Sequence, residues 1–201
     1  MPVKPVAVIL DLGNVVLNWN IEGILNSLDM EIEVRDRLRD ELFLHQDWLD
    51  LDHGITTEAE VLDAICARSP LTPTQVETTL IATKHSMQPL PKTLELMQEI
   101  KAAGLPMYCL SNMSRESYAH IQRHDFFDLF AGIVISGHER CMKPDATIFD
   151  LILQRFDLDP ETSLFVDDSL PNIDAAQALG IQAFHFKRSP ACYQTLRARL
   201  F

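Results

Sequence analysis

The sequence predicts the α/β class: a doubly wound parallel sheet interrupted by a small, inserted helical cap. Three observations carry this. Short apolar stretches recur along the chain and each ends on a polar or turn-forming residue. Segments of helical period separate them, the pattern of strand–helix–strand units whose strands run parallel. Between the first and second stretches, however, lie about seventy residues of helical period without a strand among them.

The first stretch, Val6-Ala7-Val8-Ile9-Leu10, has five apolar residues, three of them β-branched, and runs into Asp11. It reads as a strand buried on both faces. Gly13 is expected to let the backbone turn sharply there, and Asn14 tolerates unusual angles as well. From residue 20 the period changes. Ile21, Ile24, Leu25 and Leu28 mark one helical face, and Val34, Leu38 and Leu42 continue at a spacing of four. Thr57 with Glu60 and Thr72 with Gln75 form capping-box patterns, the second with Pro73 at the first helical position. Four helices are therefore expected within residues 19–88 as a separate unit inserted into the Rossmann-like α/β core of residues 1–18 and 89–201.

Pro89 and Pro91 lead back to that core. A helix over 92–103 closes at Gly104, and Met107–Leu110 is a second buried strand ending at Ser111-Asn112. Ser114 caps a helix reaching toward His124. Ile133–Ile135 is the third strand, and Lys143-Pro144-Asp145 opens a helix bearing Ile148, Phe149 and Ile152. Leu164–Val166 is the fourth strand, ending at Asp167-Asp168. Pro171 then starts a helix that Gly180 ends. Residues 181–186 form a fifth strand and 190–200 a last helix.

Composition narrows the functional classes. With 201 residues and 47% hydrophobic content the chain can bury a real core. Its net charge of −12 repels nucleic acid and anionic membranes, so neither is expected as a partner. An anionic substrate would need local positive charge or a metal. The cysteines at 66, 109, 141 and 192 show no C-x-x-C pairing and read as reduced thiols of a cytoplasmic protein. No apolar run approaches membrane-spanning length, and the N-terminus does not read as a secretory signal. The sequence leaves the oligomeric state open.

In a parallel sheet the strand ends share one edge, where open α/β folds place their ligands. That edge collects Asp11, Ser111 with Asn112, and Asp167 with Asp168, and Lys143 can reach it. Crowded carboxylates need a compensating cation, and oxygen ligands of this kind suit Mg²⁺. Ser111 donates a hydrogen bond and Lys143 supplies a point charge suited to phosphate. Carboxylates, Mg²⁺, a hydroxyl and a lysine together recognise a phosphoryl group most economically.

Asp-Leu-Gly-Asn-Val (11–15), Ser111-Asn112, Lys143-Pro144 and Val-Asp-Asp-Ser-x-x-Asn (166–172) resemble the four ordered motifs of the haloacid dehalogenase superfamily. The 19–88 insert resembles that family's small helical cap. The first motif most resembles a subgroup of phosphatases acting on α-D-glucose 1-phosphate. The resemblance implies a phosphatase for a small phosphorylated metabolite, with Asp11 as nucleophile. Asp11, the Gly13 carbonyl and Asp168 would bind Mg²⁺, with Asp167 sharing the metal or standing behind it. Ser111 and Asn112 would bind phosphate oxygens, and Lys143 would neutralise charge. Trp48, Asp52 and His53 would select the substrate from the cap.

Phosphatases of this family usually carry a second Asp where this chain has Gly13, and that Asp moves the proton. Three explanations compete: a substrate with a good leaving group, a cap residue such as Asp52 or His53 lending the proton, or a weakened protein that binds a phosphorylated ligand without turnover. Dehalogenation, which needs no such acid, is the lesser alternative. His120 and His124, four apart, read as a solvated helix face, and Cys109 as core.

Overall fold

A computed structural model describes residues 3–201. Five strands form one wholly parallel sheet: β1 (Ala7–Leu10), β2 (Met107–Ser111), β3 (Phe130–Ile135), β4 (Ser163–Asp167) and β5 (Gln182–His185). Their order is β3-β2-β1-β4-β5, so β1 is central and fully buried along its length. The chain winds outward to β3 and then returns to the other side of β1. The order reverses between β1 and β4, the place where such sheets open a crevice at their carboxyl ends.

Alternation along the strands divides the core. Val8 and Leu10 of β1 face a layer holding Met97, Ile100, Leu196 and Leu200, whereas Ile9 faces Phe149, Ile152, Ile173 and Ala176. The period-two pattern thus buries one helical layer on each face of the sheet.

The elements fill in around this frame. Five α-helices occupy the long interval after β1: α1 (Ile21–Ser27), α2 (Ile32–Leu38), α3 (Gln46–His53), α4 (Glu58–Arg68) and α5 (Pro73–Ser86). The remainder are α6 (Pro91–Ala102), α7 (Arg115–Ile121), α8 (Ser136–Glu139), α9 (Ala146–Arg155), α10 (Leu170–Ala178) and α11 (Pro190–Leu200). Both capping boxes form, with Thr57 and Glu60 opening α4 and Thr72 and Gln75 opening α5. Helices α1–α5 bury their own apolar cluster, centred on Ile24, Leu38, Leu42, Ile65 and Val76. The chain leaves and re-enters the sheet region side by side, through a bridge between Leu17 and Pro89.

Three differences from the expected elements matter. The four-residue spacing Val34-Leu38-Leu42 does not run as one α-helix, because residues Arg39–Phe43 widen into a π turn. Helix α3 adds a fifth helix to the expected four. The third strand, expected over Ile133–Ile135, begins already at Phe130, and Ser136 directly after it opens α8.

Helix α3 meets the core at α8. Gly54, which ends α3 with a φ of 74°, lies so close to Gly137 that an added Cβ would stand 2.2 Å from the Gly137 carbonyl oxygen. Arg115 donates to the carbonyls of both glycines, at 3.2 Å for Gly54 and 2.5 Å for Gly137. Ser136 Oγ donates to the Asp52 carbonyl. Gly104 shares the left-handed conformation, with a φ of 75°, but a Cβ there meets nothing. Gly104→Ala should therefore carry only the conformational cost of about 1–2 kcal/mol. Gly54→Ala adds the collision with backbone and should lower the melting temperature further. Equal shifts in thermal melting would show that the α3–α8 contact contributes nothing.

Candidate active site

The site is assembled at the carboxyl tips of β1, β2 and β4, with one lysine brought in from the loop before α9. Asp11 follows β1 directly and donates its backbone N–H to Val166 at 3.0 Å, which ties it to the neighbouring strand. Asp167 ends β4, and Asp168 is the next residue. Lys143, only 2% exposed, is the pivot of the group. Its Nζ lies 2.9 Å from Asp11 Oδ1 and 2.7 Å from Asp167 Oδ2, and donates to the Leu110 carbonyl at 2.8 Å. Burial would lower its pKa, but the two carboxylates outweigh burial and hold it above the ordinary lysine value.

Asn112 explains how Lys143 is delivered. Its Oδ1 accepts from the Lys143 backbone N–H at 2.9 Å, and its Nδ2 donates to the Lys143 carbonyl at 2.8 Å. A residue expected to grip phosphate thus has its amide engaged in fixing the lysine loop, just before the cis Lys143–Pro144 bond. Ser111, the last residue of β2, is buried.

The paired aspartates differ in their surroundings. Asp167 is fully buried and accepts from Lys143, from the Ser169 backbone N–H at 2.8 Å, and from Asn172 Nδ2 at 3.2 and 3.1 Å. Asp168 is only half-buried and accepts one hydrogen bond, from Asn14 Nδ2 at 2.9 Å. Desolvation raises the pKa of both Asp11 and Asp168. For Asp11 the pull of Lys143 offsets part of this, and the nearby Asp167 adds to it.

The turn after β1 centres on Asn14. Asn14, with φ of 55°, takes the left-handed conformation, in keeping with its tolerance of unusual angles, and Gly13 does not. A Cβ added at Gly13 would touch only Asp11 Oδ2, at 3.9 Å. Gly13 is therefore not required by local backbone geometry. Asn14 also accepts from the Trp19 backbone N–H at 3.3 Å, linking the turn to the start of the helical insert.

These groups open into a cleft of about 180 Å³ between the strand tips and the helical insert. Its floor has Asp11, Gly13, Asn14 and Asp168. Its wall has Trp19, Trp48, Asp52, Met87 and Met113. Trp48 and Asp52 lie four apart on α3 and so share a face. Trp48 packs on Trp19 with ring centroids 5.5 Å apart and on Phe43 at 5.0 Å. Desolvation pushes the Asp52 carboxyl up to about 7; contacts with the Ser114 amide and the Trp48 side chain oppose this, and Asp11 reinforces it. His53 corrects its expected assignment. One residue further round the helix, it places Nε2 3.0 Å from the Arg140 carbonyl oxygen and does not line the cleft.

The donor set fits a divalent cation. Asp11, Asp167 and Asp168 each offer a carboxylate oxygen, all within 4.8 Å of one another. Three carboxylates against one ammonium leave a formal balance of 1 − 3 = −2 when all are ionised. All the ligand atoms are oxygens, which suits a hard ion such as Mg²⁺. The engagement of Asp167 with Lys143 and Asn172 leaves Asp11 and Asp168 as the freer ligands. Among the described residues no other group of His, Cys, Asp and Glu is so placed. His120 instead neighbours His85, with ring centroids 5.2 Å apart, and Cys109 is buried.

Two residues here went unassigned in the sequence, Asn14 and Asn172. Both sit inside motifs whose charged members drew attention, and each orients one of those aspartates.

Comparison with known proteins agrees with this architecture. A sesquiterpene phosphatase of Aspergillus oryzae is 26% identical over 192 residues, covering 95% of this chain and 94% of the relative. A drimenol cyclase of Aspergillus calidoustus is 27% identical over 186 residues, covering 90% of this chain but only 34% of its own length. Among solved structures, a haloacid dehalogenase family enzyme of Bacteroides thetaiotaomicron superposes with a TM-score of 0.76 at 21% identity, covering 96% of this chain and 99% of that one. The same enzyme has been crystallised with magnesium and inorganic phosphate, and in that form the TM-score is 0.69 at 23% identity, with 91% and 94% covered. At these identities the structural likeness concerns the fold. Among the described residues no helix is long and apolar enough to cross a membrane. The family profile for haloacid dehalogenase-like hydrolases matches residues 7–180, and the chain belongs to that family.

Proposed function

We propose that this hydrolase is a Mg²⁺-dependent phosphomonoesterase that acts on a small phosphorylated metabolite through an aspartyl-phosphate on Asp11. The observation that carries this reading is the buried Lys143 ammonium between Asp11 and Asp167, with Asp168 beside them lining the cleft. The phosphatase description of the Aspergillus oryzae relative and the magnesium and phosphate bound by the Bacteroides enzyme support it.

In this reading Asp11 attacks phosphorus from the floor of the cleft. Lys143 orients the Asp11 carboxylate and offsets charge gathering on the transferred group. Asn112 holds Lys143 in register, and its second amide N–H is left for a phosphate oxygen; Ser111 would donate to another. Asp11, Asp168 and the Gly13 carbonyl would hold Mg²⁺, whose chemical contribution is Lewis-acid polarisation of the phosphate. Asp167 keeps Lys143 charged and placed. The helices over 19–88 act as a cap that shapes the cleft and excludes water.

The narrower substrate reading is a sugar phosphate such as α-glucose 1-phosphate, whose anomeric oxygen leaves readily. A second reading rests on the cleft wall. Trp19, Trp48, Met87, Met113 and Leu17 present more apolar surface than a polyhydroxylated sugar needs, which suits the phosphate of an apolar alcohol. Comparing kcat/KM for α-glucose 1-phosphate and farnesyl monophosphate decides between them, the larger value identifying the substrate class.

With Mg²⁺ the protein should release phosphate from p-nitrophenyl phosphate, and EDTA should stop it. Asp11→Asn should lower the rate at least about a thousandfold. Turnover no greater than that of Asp11→Asn would leave ligand binding without catalysis as the surviving interpretation. Metal-independent halide release from a 2-haloacid would instead establish dehalogenation. Asn14→Ala, which frees Asp168, should weaken the Mg²⁺ requirement curve by about 10- to 100-fold, read from the half-saturating concentration. An unchanged curve would remove Asp168 from the metal site.

A further inference from the structure

Cleaving a phosphate ester of an ordinary alcohol leaves an alkoxide unless a proton reaches the ester oxygen. The floor of the cleft offers no free donor. Three titratable side chains line it: Asp11, Asp168 and Asp52. Asp11 is the attacking group. Asp168 is held by Asn14 and belongs to the cation cluster. Lys143 is enclosed by Asp11, Asp167 and the Leu110 carbonyl, behind the cleft rather than in its wall. Residue 13 is glycine and carries no side chain at all. His53 faces Arg140.

Resting on the phosphomonoesterase reading, we propose that Asp52, supplied by the cap, is the general acid and base of the reaction. Its placement is built rather than incidental. Ser136 donates to the Asp52 carbonyl, Arg115 bridges the Gly54 and Gly137 carbonyls, and Gly54 abuts Gly137 without room for a Cβ. The core thus grips α3 within two residues of Asp52, on the side where the carboxyl enters the cleft. Trp48, one turn earlier, packs against both Trp19 and Phe43 and anchors the same face of the helix. Burial among these groups favours the neutral carboxyl, the form that can donate.

The steps balance. Asp11 Oδ forms a bond to phosphorus, the ester P–O bond breaks with its electron pair going to the ester oxygen, and the Asp52 proton passes to that oxygen, releasing the alcohol. Water then attacks phosphorus while Asp52 carboxylate takes its proton. The P–O bond to Asp11 breaks with its electrons returning to Asp11, and phosphate leaves with Asp52 again protonated.

The test is the dependence on leaving group. For Asp52→Asn, kcat/KM, which reports only steps up to phosphoryl transfer, should fall about 10²- to 10⁴-fold with an alkyl phosphate such as glycerol phosphate. It should hold within about threefold of the parent with a dinitrophenyl phosphate, whose phenolate needs no proton. The same variant should give a burst of dinitrophenolate matching the enzyme concentration, because the phosphoenzyme forms but hydrolyses slowly. Asp52→Ser provides a second variant, and thermal melting verifies that each is folded. Equal losses for both substrates, or none with the alkyl phosphate, would overturn the assignment of Asp52 while leaving the phosphatase reading in place. Failure of the parent protein to hydrolyse either ester would overturn both.

Discussion

A lysine ammonium at 2% exposure can persist in a protein interior only when charge and hydrogen bonds replace the water it has lost. Lys143 obtains these from Asp11, Asp167 and the Leu110 carbonyl, and each partner comes from a different strand tip. The surrounding construction follows from this requirement. β1 must lie between β2 and β4 for the three partners to converge, Asn112 must hold the lysine loop, and Asn172 must satisfy the remaining lone pairs of Asp167. Such a buried pair is poor evidence of stability, since apolar packing of equal volume commonly does as well. What it provides is a fixed positive charge beside the Asp11 carboxylate, the arrangement that the proposed attack on an anionic phosphate calls for.

Much of the frame was legible because it rests on strong local patterns. The strands are short, mainly apolar runs, and the central ones, β1 and β4, are buried along their whole length. The charged or polar residue ending β1, β2 and β4 marked the working edge before any contact was known. The capping boxes at Thr57 and Thr72 identified helix starts to the residue. Ile148, Phe149 and Ile152 gave the buried face of α9 by spacing alone.

What escaped the sequence depends on tertiary context. Helix α3 has three aspartates in eight residues, buries only Leu51 fully, and is capped by the His45 ring instead of a Ser, Thr, Asp or Asn. Nothing local announces it, yet it brings Trp48 and Asp52 to the cleft. The orientation of His53 follows from the helical register, which could not be assigned without the helix. The tolerance of Asn14 for unusual angles was legible, but its side-chain partners, Asp168 and the Trp19 backbone N–H, were not. The roles of Asn112 and Asn172 likewise depend on residues thirty-one and five positions away.

The two tryptophans in the chain both stand in the cleft wall, with ring centroids 5.5 Å apart. The tryptophan fluorescence of the protein therefore originates at a single place. Occupancy of the cleft, or a shift of the helical insert that changes how water reaches the indoles, is written directly into the emission spectrum. The molecule thus carries its own optical reporter at the cleft, one that needs no bond to be broken.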